Sequence, residues 1–182
     1  LKSSEQITSS PAGAVAPIPS SRQPMSDQPG NQLHRIGWNT PEGLDEALIR
    51  AVVDEFYARA RQDDVIGPVF NRVIDGPDWT AHLATIADFW SSMLLGTGRY
   101  GGRPMPKHLA IPELGDAHFM RWLRLFRETV TELCPPDIAT LFIERSERVG
   151  NSFRMNIAMR RGEDIIIMGP LPREASPVWK PE

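Results

Sequence analysis

Apolar residues recur between residues 40 and 160 at the i, i+3, i+4, i+7 spacing of amphipathic helices. Leu48, Ile49, Val52, Val53, Phe56, Tyr57 and Ala60 form the first such stripe. It predicts a helix to about Arg61, broken by Asp63 and Asp64. Thr40-Pro41-Glu42-Gly43 ahead of it is a helix-start signal, a Thr cap with Pro in the first turn. Residues 65–70 hold Gly67 and Pro68 and read as a turn plus one helical turn, with Phe70 inward. Asp75-Gly76-Pro77-Asp78 opens the next helix, with Asp78 or Asp75 as its cap. The stripe of that helix is Trp79, Leu83, Ile86, Phe89, Trp90 and Met93, and it stops at Gly96-Thr97-Gly98. His82 sits inside this stripe.

Glycine and proline dominate residues 96–116, with one short helical piece expected at 106–109. A loop of this length in a compact domain is commonly functional. Asp116 is the expected cap of a helix to about Leu133, with Phe119, Trp122, Leu123, Phe126 and Val130 on one face. Cys134-Pro135-Pro136 ends it. Asp137 opens a last long helix to about Arg161, turning Ile138, Leu141, Phe142, Val149, Phe153 and Ile157 inward, and Gly162 stops it. Residues 165–168 are the one strand-like run, and no repeat is present. The class is all-α. Three regions follow: residues 1–37, rich in Ser, Pro, Gln and Gly and expected to be a disordered extension; a helical domain over 38–162; and a tail over 163–182 that packs on the surface or is loose. Met25 offers an alternative start.

Composition narrows the function classes. A net charge of −3 gives no general affinity for nucleic acid or for an anionic membrane surface. No apolar run approaches the roughly 18 residues of a membrane helix. The single cysteine, Cys134, excludes an internal disulfide framework and a thiolate cluster, and it fits a reducing compartment. Without a signal-like apolar stretch near the start, the expected location is cytoplasmic.

The chemistry-bearing residues are few. There is no His pair at i, i+4, no Glu-x-x-His, no nucleophile elbow and no glycine-rich phosphate loop between strand and helix. His82 on an apolar face is more often a core histidine bonded to a carbonyl than a ligand-pocket residue. His108, after Pro104-Met105-Pro106-Lys107, is ordinarily a surface histidine, yet it can swing its ring toward a cavity. His118 is a rival, although an acidic cap at Asp116 implies an exposed first turn. Tyr57 and Trp122 lie on apolar faces with polar tips that need partners when buried. They are either core aromatics with satisfied tips or donors into a cavity. A one-ligand cofactor in an apolar slot suits this set, and haem is such a group.

The ordered series Phe56-Tyr57, Gly67-Pro68-x-Phe70, Trp79-x-x-His82-x-x-x-Ile86-x-x-Phe89-Trp90, Tyr100-x-Gly102-x-Pro104-x-x-x-His108 and His118-Phe119-x-x-Trp122-Leu123-x-x-Phe126 resembles the truncated haemoglobins of group III. The resemblance spans roughly residues 38–160. It implies a two-over-two helical sandwich enclosing haem b, with its iron. Carried over by that resemblance, His108 is the proximal iron ligand, and Tyr57, His82 and Trp122 line the distal side, with His82 at a gate. Phe56, Phe70 and Phe89 resemble haem-packing aromatics, and Arg99, Arg103 and Lys107 are candidates for the haem propionates.

The expected activity is reversible binding of O₂, NO or another diatomic ligand, as in oxygen binding or oxygen transport. Donors such as Tyr57 and Trp122 would stabilise the partial negative charge of a bound O₂. The alternative is an enzyme, a haem-dependent NO dioxygenase or peroxidase drawing electrons from an external reductase, because the chain shows no reductase domain. A third reading is a cofactor-free helical interaction module in which the central histidines and aromatic stripes are core.

Overall fold

The computed structural model describes residues 40–173 apart from Asp75. The expected disordered extension over 1–37, the first two residues of the expected domain, the alternative cap Asp75 and the tail from residue 174 on therefore lie outside the described residues. Among those described, all regular structure is helical: α1 Glu46–Ala60, α2 Gly67–Val73, a 3₁₀ turn Gly76–Asp78, α3 Trp79–Leu94, α4 Pro104–Leu109, α5 Asp116–Leu133 and α6 Pro136–Arg160. None of these helices is long and apolar enough to cross a membrane.

The helix bodies follow the apolar stripes, and the ends follow local backbone chemistry. α1 starts six residues beyond Thr40 because Pro41 and Gly43 make a turn first, with Leu44 N–H donating to the Pro41 carbonyl and Gly43 at φ +86°. Asp45, extended at φ −136°, is the working cap: its Oδ1 accepts from Leu48 N–H at 2.8 Å. Asp116 is the first residue of α5, and Gly115 holds the cap position. Asp78 caps α3 without a side-chain bond. Residues 165–168 form a turn, closed by Met168 N–H on the Ile165 carbonyl, and no strand.

α2 is short, so its position depends on its anchors. Asp63 is buried between the helices, and its Oδ1 accepts from the Val65 and Ile66 amides. Its Oδ2 pairs with Arg121 of α5 at 2.6 Å. Gly67 is required there, since a Cβ would stand 2.8 Å from the Arg61 carbonyl oxygen.

α1 packs on α3, α5 packs on α6, and contact between α1 and α5 joins the pairs, which is the expected two-over-two arrangement. Only Cys134 and Pro135 separate α5 from α6, which forces them to run antiparallel. The main core gathers Ile49, Val52 and Phe56 of α1, Trp90 and Leu94 of α3, Phe126 and Val130 of α5, and Ile138 and Phe142 of α6. Each such side chain contributes about 1.5–3 kcal/mol by burial. A second, smaller cluster forms from Leu114, Phe119, Leu123, Ile157 and Leu171. Trp122 is in contact with both clusters.

Candidate functional site

A cavity of about 470 Å³ opens between α3 and α4, with further walls from α1, α2, α5 and α6. That is within the range of pockets that take a small organic ligand. The sequence stripes explain its lining, since the inward faces of α3, α5 and α6 meet there.

Tyr57, His82 and Trp122 all line it. Tyr57 is buried, and its ring meets Phe56 at 5.0 Å, Phe70 at 5.5 Å and His82 at 5.5 Å, each edge to face. Burial pushes its phenol well above the ordinary range, so the hydroxyl stays protonated and able to donate. Trp122 stacks on Phe126 at 5.4 Å and 6°, and Phe126 stacks in turn on Trp90 at 5.0 Å and 10°. This three-ring pile fixes the indole of α5 against α3. His82 is held between Tyr57 and Trp79, and its Nε2 is buried without a hydrogen-bond partner. Burial holds its pKa below 6.5, with the nearby Lys107 charge and His108 acting in the same direction.

His108 faces the same cavity from α4. Its Nδ1 lies 2.8 Å from the Pro104 carbonyl oxygen. A carbonyl only accepts, so Nδ1 carries the proton and Nε2 keeps its lone pair. The ring is stacked on Phe153 at 4.3 Å and 11°. Burial lowers its pKa below 6.5, opposed in part by the Pro104 bond. The neutral imidazole is the form that ligates iron.

His118 also lines the cavity and is half-buried, although Asp116 and Ala117 before it are exposed as the acidic start of the helix implies. Its Nδ1 accepts from the Gly115 amide at 3.3 Å, which in a neutral ring leaves Nε2 as a donor. It therefore offers the cavity a proton where His108 offers a lone pair.

The structure brings Phe70, Phe89 and Lys107 to the cavity and leaves Phe56, Arg99 and Arg103 off its wall. Phe56 stands one layer back, edge on to Tyr57 and Trp122. Arg99 is engaged elsewhere: its guanidinium holds Glu46 at 2.7 Å, Asp88 at 2.9 Å and Ser91 at 3.0 Å. Tyr100 and Phe153, to which the sequence assigns no site role, also line the cavity. Tyr100 meets Phe89 edge to face at 5.2 Å, held by its amide on Ser92 Oγ at 2.8 Å. Phe153 is the stacking partner of His108. Its membership of the Val149, Phe153, Ile157 stripe was the available signal.

The family model of the bacterial-like globins matches residues 42–150. The chain is 33% identical over 115 residues to the group 3 truncated hemoglobin ctb of Campylobacter jejuni, covering 62% of this chain and 91% of that protein. The crystal structure of the group III truncated hemoglobin from Campylobacter jejuni superposes with a TM-score of 0.60 at 31% identity, over 65% of this chain and 94% of that one. The chain belongs to the group III truncated haemoglobins. Haem-based binding of a small ligand is the general activity of this globin family. The residues around the cavity fit such a group: a mostly apolar slot, one imidazole with a free lone pair, and an orphaned buried nitrogen on α3.

Proposed function

We propose that this truncated haemoglobin binds O₂ or a similar diatomic ligand reversibly, with His108 as the proximal ligand of a haem b iron. The observation that carries the reading is the bond between His108 Nδ1 and the Pro104 carbonyl, 2.8 Å long. It sets the tautomer and ring orientation in advance, the arrangement that ligating histidines generally have. Bound haem supplies an iron with an open position for the ligand.

The chain's own side chains do the rest. Phe70, Phe89 and Phe153 supply apolar contact and exclude water. Lys107 is the cation at the wall for the haem carboxylates. On the distal side the Tyr57 hydroxyl and the Trp122 indole N–H donate to the ligand. His82 guards the approach, and a polar group reaching its Nε2 would relieve a buried unpaired atom worth about 1–3 kcal/mol.

The test is the visible spectrum of purified protein after haem loading, in the parent and in His108→Gly. A Soret band in the parent, lost or shifted in the variant and restored by added imidazole, is expected. An unchanged spectrum in the variant removes His108 as the ligand, and no Soret band in the parent removes the haem reading.

A further inference from the structure

α4 carries His108 but is only six residues long, has no side-chain cap bond and contains no buried residue. Such a helix does not hold itself. It packs on α6, and Leu109 together with Ile111 just beyond it rests on the smaller hydrophobic cluster. Phe153, on which the His108 ring lies flat, rests on the same cluster. The proximal side therefore depends on a core of five buried residues: Leu114, Phe119, Leu123, Ile157 and Leu171.

Leu171 is 8% exposed and comes from the tail, beyond the residues 42–150 that match the family. The tail reaches it by a defined course. Gly162, at φ +76°, ends α6 and turns the chain, and Glu163 N–H then donates to the Ala158 carbonyl at 3.0 Å. Arg154 of α6 donates to the Gly169 carbonyl at 2.6 Å while its other nitrogens hold the Asp116 carboxylate at 2.7 and 2.8 Å. Leu171 N–H donates to Asn151 Oδ1 at 3.1 Å. Arg173 grips the Glu147 carboxylate at 2.8 and 3.0 Å. These contacts run the segment back along α6 and tie it to the start of α5.

We propose that residues 163–173 are a strap for the proximal side and that Leu171 is a positioning residue, holding α4 and Phe153 so that His108 keeps its orientation. The inference rests on the reading of His108 as the iron ligand.

The test uses the full chain loaded with haem. In Leu171→Ala, haem passes to an excess of a haem-scavenging apoprotein faster by on the order of tenfold, as a cavity in so small a core implies. The iron–histidine stretching band in the resonance Raman spectrum shifts or broadens, and Leu171→Met restores both. A merely structural loss would leave that band in place. Unchanged haem loss together with an unchanged band overturns the strap. A parent protein with a Soret band but no iron–histidine band overturns the His108 reading instead. A second measurement needs no variant. If the strap and the haem are coupled, the coupling is reciprocal, so haem loading slows hydrogen exchange at the Leu171 and Glu163 amides of the parent. Equal exchange with and without haem overturns the proposal.

Discussion

Tyr57 and His82 meet edge to face at the cavity wall, with ring centroids 5.5 Å apart and planes at 85°. The contact joins α1 to α3, and both residues line the cavity. Trp122 reaches the same space from α5, held by its stack on Phe126. Two residues with donor-capable tips, from different helices, thus line the space proposed for the ligand. Tyr57→Phe and Trp122→Leu are each expected to speed O₂ dissociation roughly five- to a hundredfold, the range for losing one charge-assisted bond of about 1–3 kcal/mol. Stopped-flow displacement of O₂ reads this directly. Parent-like rates in both variants would mean that neither tip donates to the ligand.

The pH dependence of the haem-free protein tests the burial of the same histidines. Burial holds His82 below its ordinary 6.5, aided by Lys107 and His108, and burial also lowers His108. Between the folded value and 6.5 the unfolded chain binds more protons than the folded one. This contribution to stability is therefore fully present above pH 6.5 and is lost as pH falls through the folded pKa. The carboxylates held low add their loss only near and below 3.8 and 4.5: Asp63, where burial pushes upward but Arg121 and the Ile66 and Val65 amides prevail, and Glu46 and Glu132, held by Arg99 and Arg59. The interval from 6.5 down to about pH 5 therefore isolates the histidines. The melting temperature should stay level just above 6.5 and fall across that interval, with a shallower fall in His82→Phe. The same slope in parent and variant would show that His82 titrates alike in the folded and unfolded chains.

What could be read from the sequence follows from what is local. The stripes on α1, α3, α5 and α6 named the helices and most of the core, because burial imposes its period on the sequence. Tyr57, His82 and Trp122 were legible as inward polar-tipped residues on such stripes. Phe56 was harder to place: it lies on the same apolar stripe as Tyr57, but its ring is buried in the main core against Tyr57, Trp122 and Phe126, one layer behind the wall. Arg99 finds Glu46, 53 residues away, which no spacing announces. Tyr100 takes its place from a Ser92 bond and from the space over Gly102, where a Cβ would stand 2.6 Å from the phenol oxygen. The tail had no periodic signal at all. Leu171 is one apolar residue among prolines, and its burial depends on arginine contacts to backbone carbonyls.

Two of the candidate propionate cations, Arg99 and Lys107, separate by their partners. Arg99 is committed to Glu46, Asp88 and the buried Ser91 hydroxyl, which tie the loop after α3 to the start of α1. Lys107 lines the cavity beside His108, and its charge is felt at His82. A haem carboxylate would draw on Lys107 without breaking an ion pair to any of the described residues, whereas Arg99 would first have to release two carboxylates. An exposed pair of this kind is worth up to about 1 kcal/mol. Lys107→Met should therefore speed haem loss by about two- to fivefold with little change in melting temperature. Arg99→Met should lower the melting temperature and leave haem loss close to the parent rate. Haem-transfer kinetics and thermal unfolding of both variants distinguish the two roles, and the opposite assignment of effects would mean that the Arg99 guanidinium leaves its carboxylates when haem binds.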